Sequence, residues 1–211
     1  MRIKVCGLRC ASNIADVGKL GPDFMGFIFY PPSPRYCGDA GPDLLDSVPE
    51  GVTPVAVTVD MPDADILGLC RKYGFNTVQL HGCESPEKCR RLRAAGLHVW
   101  KAVSVSGPGD LQAAEKYDGC VDLLVFDTAA ASRGGSGRKF EWEWLNAYCG
   151  ATGFMLSGGI APEDADAVRG VLHPLMAGVD LNSRFETAPG VKDTDALRLF
   201  IRTLRSRDNQ K

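Results

Sequence analysis

Two ionisable side chains in this chain each stand where a buried apolar run gives way to a loop. Cys6 lies in KVCGLR (4–9), and Asp127 lies in LLVFDTAAASRGGSGRKFEW (123–142). Together they read as an acid/base pair, because in a barrel of parallel strands the catalytic side chains collect at the C-terminal strand ends and the loops beyond carry ligand contacts. A free thiol titrates at about 8.5, so Cys6 acts as base or nucleophile near neutrality only where loop N–H groups and a nearby cation stabilise its thiolate. A second reading makes Cys6 one more small core residue of a strand. Gly7, which lets a backbone come close to a ligand, favours the first. Asp127 follows four apolar residues and is costly to bury without a partner; it is either a loop cap or a strand-end carboxylate with a task.

Other residues fit the same mouth. SGGI (157–160) and DLNSR (180–184) follow two apolar runs directly. Gly158, Gly159, Asn182 and Ser183 there leave N–H groups free for an anion, aided by a helix N-terminus, where barrels often hold phosphate. Gly134, Gly135 and Gly137 form a GGSG loop suited to closing over a ligand or to linking strand and helix. Arg35, stiffened by Pro31, Pro32 and Pro34, suits bidentate capture of a carboxylate. His81 follows TVQL and precedes Gly82; it serves either in proton transfer or as a neutral hydrogen-bonding group.

The elements that must position these groups alternate. Strand candidates are 3–6, 24–29, 54–59, 77–80, 98–103, 123–127, 154–157 and 177–181. Amphipathic stretches lie between and after them at 12–20, 62–73, 85–96, 108–117, 143–149, 162–172 and 193–206. Only the connection from Pro31 to Thr53 lacks a helical pattern, with a turn expected around Pro42–Ser47. Strands without polar alternation are covered on both faces, and eight such units predict a single-domain (β/α)8 TIM barrel of the α/β class over residues 1–211, its polar tail fraying from about 206. Ser12, Ser85 and Asp193 are the expected N-caps, and Pro62, Pro86 and Pro162 fall near first turns.

Composition narrows the function further. With 211 residues, 45% of them hydrophobic, the chain can bury one core. A formal net charge of −2 without a basic run argues against nucleic acid or an anionic membrane as partner. Eight scattered cysteines, with no CxxC pair and no companion histidine spacing, read as free thiols with no metal site. The chain opens directly on the strand-like RIKVC, without a leader pattern or membrane span. These features predict a cytoplasmic protein.

KVCGLR, GFIFYPPSPRY, VQLHG, FDT with GGSG and EW, SGGI, and VDLNSRFETAPGVKD, in this order, resemble the signature segments of the phosphoribosylanthranilate isomerase family of tryptophan biosynthesis, from residue 4 to about 201. The resemblance implies a (β/α)8 barrel, monomeric or homodimeric, acting on a small-molecule phosphosugar. It implies an Amadori rearrangement of N-(5-phosphoribosyl)anthranilate without metal or cofactor. Carried over residue by residue, it implies Cys6 as general base, Asp127 as general acid and Arg35 as the anthranilate-carboxylate arginine, with phosphate on Gly158, Gly159, Asn182 and Ser183. Asp127 must then keep its proton while Cys6 loses its own. One departure stands out: after strand eight the family usually shows two serines and a glycine, where this chain has Asn182, Ser183 and Arg184. Two other readings are a related phosphosugar barrel, such as the histidine-pathway isomerase or indole-glycerol-phosphate synthase, and a non-catalytic phospholigand binder. A strand-one cysteine where the histidine-pathway enzyme has aspartate, and the lack of the synthase's lysine-rich strand ends, oppose the first. The second has no need of an acid facing a base.

Overall fold

The computed structural model describes residues 1–128 and 141–206. Eight parallel strands close in chain order into a barrel: β1 (Arg2–Cys6), β2 (Phe24–Ile28), β3 (Thr53–Thr58), β4 (Thr77–Leu80), β5 (His98–Val105), β6 (Leu123–Thr128), β7 (Phe154–Leu156) and β8 (Met176–Leu181). Closure comes from β8 on β1, where Lys4 stands opposite Asp180 and Val5 opposite Leu181. Strand parity sorts the side chains into two cores. Ile3, Val5, Leu124, Phe126, Val179 and Leu181 point outward into the layer beneath the helices. Phe24, Val55, Trp100, Ala102, Leu123, Val125 and Met155 fill the lumen.

Parity also decides what reaches the mouth. Lys4 and Cys6 share one face of β1, Gln79 and His81 continue one face of β4, and Asp127 follows Leu123 and Val125 inward on β6. Cys6 needs room from its neighbour: it pairs with Gly26 on β2, where a Cβ would lie 2.6 Å from the Cys6 Sγ.

The helices are α1 (Ala11–Gly18), α2 (Asp63–Tyr73), α3 (Pro86–Ala94), α4 (Pro108–Ala113), α5 (Ala165–Arg169) and α6 (Thr194–Arg205). α6 buries Leu197, Phe200, Ile201 and Leu204, the one-stripe spacing of a helix lying on a sheet. Two expected caps hold. The Ser85 hydroxyl accepts from Lys88 N, and the Asp193 carboxylate accepts from the N–H groups of Asp195 and Ala196. Ser12 is not a cap: α1 begins one residue earlier, Cys10 takes the N-cap position without a side-chain bond, and its thiol meets the Ser12 hydroxyl at 3.3 Å.

Other expected helices are shorter or tighter. The stretch 143–149 forms a 3-10 turn at Trp142–Ala147, 108–117 passes from α4 into a 3-10 turn at Ala114–Tyr117, and 162–172 opens as a 3-10 turn at Pro162–Asp164 before α5 stops at Arg169. Each is anchored by few apolar side chains, so tertiary packing sets its length. The Pro31–Thr53 connection holds only a 3-10 turn at Pro42–Leu45. A small antiparallel hairpin, β9 (Glu186–Ala188) with β10 (Val191–Lys192), follows β8 and was not anticipated. Among the described residues no helix is long and apolar enough to cross a membrane. The expected GGSG loop with Gly135, and the tail beyond Ser206, lie outside the described residues.

A cleft of about 230 Å³ opens at the N-terminal end of the barrel, lined by Arg2, Phe24, Thr53, Thr77, His98, Trp100, Asp122 and Leu123. Its carboxylate is already spent, since Asp122 accepts from Val99 N at 2.7 Å and pairs with Arg93 at 3.1 Å. The unspent chemistry lies at the other end.

Candidate active site

Cys6 ends β1 and is buried. Below it, Lys4 is 0% and Asp180 6% exposed, and Lys4 Nζ donates to Asp180 Oδ2 at 2.8 Å. Burial opposes ionisation of both partners. For Lys4, the charges and hydrogen bonds of Asp180 and Cys6 overcome it and push the ammonium pKa up. For Asp180, burial prevails and the charge of Asp127 adds to it, so the carboxyl pKa rises. With a 2.8 Å contact the proton sits on Lys4. Asp180 Oδ1 has no partner among the described residues.

Burial also pushes the Cys6 thiol up. Lys4 and Lys192 pull it down, while Asp180 adds to the rise. The cation expected beside Cys6 is therefore present twice, yet desolvation outweighs both and the resting group is a thiol.

On the far side of the mouth, His81 Nε2 lies 3.2 Å from Asp127 Oδ2. His81 Nδ1 in turn meets Gln79 Nε2 at 3.1 Å. With that amide donating, the neutral ring carries its proton on Nε2 and donates it to the carboxylate. The turned amide would offer Gln79 Oε1, which is buried and unpartnered as placed, to Nδ1–H. Nε2 would then accept from a protonated Asp127. The Gln79–His81 pair thus matches both protonation states of Asp127. A buried network holds this loop: Glu84 accepts from the N–H groups of Asp60 and Gly82 at 2.9 Å each, and Lys101 pairs with Glu84 at 3.2 Å while donating to Gly82 O at 2.8 Å.

Asp127 is also pressed by the loop after β7. Gly158 has φ +86°, and a Cβ there would come within 2.3 Å of Thr128 N and 2.8 Å of Asp127 Oδ1. Only glycine fits that approach at that angle. The N–H groups of Gly158, Gly159 and Ile160 meet no acceptor among the described residues. At the 3-10 turn beyond them, Asp164 Oδ2 reaches back to accept from Ala161 N at 2.6 Å. Opposite, Ser183 is exposed at the start of a 3-10 turn, Ser183–Phe185, whose opening N–H groups lie outside its own bonds. Asn182 does not turn its side chain outward: its Oδ1 accepts from Lys192 Nζ at 2.8 Å. Arg184 is exposed.

Arg35 is oriented by a residue that sequence reasoning missed. Its Nε donates to Glu186 Oε1 at 2.9 Å and Oε2 at 3.0 Å, and its Nη2 donates to Oε2 at 2.6 Å. This engages the side edge of the guanidinium and leaves the Nη1 end for another planar anion. Burial would push Glu186 up, but Arg35 and Lys192 more than offset it and hold the carboxyl below its usual range. Lys192 Nζ pairs with Glu186 Oε1 at 2.6 Å.

The structure thus brings Cys6 and Asp127 to one mouth, with Asp180 electrostatically coupled to both and to His81. The missed residues are Lys4, Asp180, Glu186 and Lys192. For the first two a signal existed: a charge inside a strand buried on both faces must be paired, and Lys4 stands two residues before Cys6, on the same face. Glu186 and Lys192 lie on a hairpin too short to leave a periodic pattern.

Known proteins resemble this chain over nearly its full length. The family model described as N-(5'-phosphoribosyl)anthranilate (PRA) isomerase matches residues 3–203. An N-(5'-phosphoribosyl)anthranilate isomerase of Phocaeicola vulgatus is 44% identical over 207 residues, covering 98% of this chain and 99% of the relative. The crystal structure of the Thermus thermophilus phosphoribosyl anthranilate isomerase superposes with a TM-score of 0.85 at 29% identity, covering 97% of this chain and 98% of that one. A further isomerase structure, in complex with reduced 1-(o-carboxyphenylamino)-1-deoxyribulose 5-phosphate, has a TM-score of 0.80 at 30% identity over 97% of this chain and 98% of that one. With a barrel of eight parallel strands closed in chain order and a family match over nearly its full length, the chain belongs to the N-(5'-phosphoribosyl)anthranilate isomerase family.

Proposed function

We propose that the chain carries out its family's reaction, the conversion of N-(5-phosphoribosyl)anthranilate to 1-(2-carboxyphenylamino)-1-deoxyribulose 5-phosphate in tryptophan biosynthesis, with Asp127 as general acid and Cys6 as general base. Asp127 gives its proton to the furanose ring oxygen as the C1'–O bond breaks, and the anilino nitrogen supplies the electron pair that forms the C1' iminium. That cation acidifies the C2' hydrogen, and Cys6 removes it to leave an enolamine. One proton returns to C1' and one leaves the C2' oxygen, which restores both groups in sum. Cys6 does this as the thiolate: the thiol that burial keeps protonated at rest releases its proton to bulk water beforehand, and the positive iminium favours the charged form.

The carrying observation is the pairing of a buried thiol, flanked by Lys4 and Lys192, with a strand-end carboxyl held by His81. Arg35, its side edge fixed by Glu186, takes the anthranilate carboxylate on the free Nη end. Gly158, Gly159 and the Asn182–Ser183 backbone take the phosphate, and Gly135 belongs to the same substrate-binding reading. The unpaired state of all eight cysteines fits a reducing, cytoplasmic setting. A monomer or homodimer belongs to the same proposal, and sedimentation measures it.

A fluorescence assay on freshly made phosphoribosylanthranilate tests the assignment. Cys6→Ala and Asp127→Asn each lower kcat by about 10²–10⁴-fold or more with the circular-dichroism spectrum unchanged. Near-parental turnover in either variant removes that residue from its role.

A further inference from the structure

Lys192 lies outside the acid/base pair yet touches three parts of the mouth. It is 2% exposed, and its Nζ lies 2.6 Å from Glu186 Oε1, 2.8 Å from Asn182 Oδ1 and 3.3 Å from Asn182 O. A Cβ on Gly7, the residue after the base, would lie 3.4 Å from the same nitrogen and 2.7 Å from Arg35 Cδ. A wholly buried ammonium is expensive and is found where charges need it. Here Glu186 alone does not explain the placement, since Arg35 already gives that carboxylate a bidentate partner.

We propose that Lys192 is a positioning residue of the isomerase reaction, the buried cation that serves as counter-ion to the Cys6 thiolate and, through Glu186, aligns Arg35 for the anthranilate carboxylate. The inference rests on the reading of Cys6 as base and Arg35 as clamp. The charged or titratable groups facing Cys6 are Lys4 on its own strand, Asp180 on β8, Lys192 on β10, and Cys37 from the Pro31–Thr53 connection. Those facing Lys192 are Glu186, Cys6 and Arg35. Lys4 is already committed to Asp180, a carboxylate that opposes thiolate formation. The Glu186 charge beside Lys192 is shared with Arg35, so Lys192 adds its pull on Cys6 to that of Lys4.

Lys192→Met keeps the length of the side chain and removes its charge. The pH dependence of Cys6 alkylation by iodoacetamide, followed peptide by peptide in a mass spectrometer, separates Cys6 from the exposed Cys10, Cys83 and Cys149. The rate at pH 7 is expected to fall about tenfold or more, since each pKa unit costs a factor of about ten in thiolate. The ascending limb of kcat/KM moves to higher pH, and KM rises as Arg35 loses alignment. Lys192→Met/Glu186→Gln restores charge balance and carries the test if the single variant fails to fold. Its alkylation profile stays shifted if Lys192 serves Cys6. Parental alkylation profiles in the single variant, or in the double one, overturn the proposal; in the second case Lys192 merely neutralises Glu186. Cys6→Ala is the separate control: activity surviving there overturns the base assignment itself, whereas its loss together with unshifted Lys192 variants overturns only this inference.

Discussion

Lys4→Met isolates the buried ion pair beneath Cys6, the proposed base. Two unit charges 2.8 Å apart attract by about 6 kcal/mol at an effective dielectric near 20, and desolvation of both removes most of this as net stability. Removing one partner is another matter. With Lys4 gone, Asp180 is 6% exposed with both oxygens unpaired, and such a break costs about 3–5 kcal/mol. Asp180 can escape only by taking up a proton, which burial and the charge of Asp127 already favour.

The sign of the pH dependence follows. A carboxyl whose folded pKa lies above its unfolded value of about 3.9 contributes stability below that value and loses it as pH rises through the folded one. Losing the Lys4 charge raises the folded pKa further, so the deficit of the variant widens with rising pH. Urea unfolding followed by circular dichroism from pH 5 to 8 measures it. The midpoint is expected to drop by roughly 1–2 M at pH 8 for a slope near 3 kcal/mol per M, and by less at pH 5. Lys4→Met/Asp180→Leu leaves no orphan charge and recovers to within about 1 kcal/mol of the parent. Its kcat/KM at neutral pH stays low, because the larger of the two effects on Cys6 is that of Lys4. A single-variant loss below about 1 kcal/mol, a deficit independent of pH, or no recovery in the double variant would refute the reasoning.

Further expectations concern the clamp, the acid and a cap. Glu186→Gln raises KM with kcat nearly kept; it also lowers stability at pH 7, by about 3 kcal/mol. Because the carboxyl is held below its usual range, its contribution is present above about pH 4.3 and disappears as pH falls through the folded value, so parent and variant converge in acid. An acid limb identical in both would count against the ion pair. His81→Asn removes the 3.2 Å contact to Asp127 and should lower kcat about tenfold, the worth of one orienting hydrogen bond, with KM unchanged; a change confined to KM would place His81 on the substrate instead. Asp193→Ala deletes two N-cap bonds of α6 at 3.0 Å each, and thermal unfolding should register a loss of about 1–2 kcal/mol, or roughly 2–8 °C in Tm.

Taken alone, the chain of residues specified a great deal. Apolar runs ending in Cys6, His81 and Asp127 announced strands covered on both faces, and their number and spacing announced a barrel closed in chain order. Those signals are local, since burial on both faces is written into each strand and an N-cap such as Asp193 into one turn. What folding alone decided is which charges meet. Lys4 and Asp180 are 176 residues apart, Arg35 and Glu186 151 apart, and each pair exists only because β8 closes on β1 and a two-strand hairpin folds back over the mouth. Electrostatic pairing depends on distance in space and on the loss of water around the pair. Neither is a property of sequence spacing, so Cys6 and Asp127, the proposed base and acid, stood out at their strand ends, while the cations and carboxylates around them emerged only with closure.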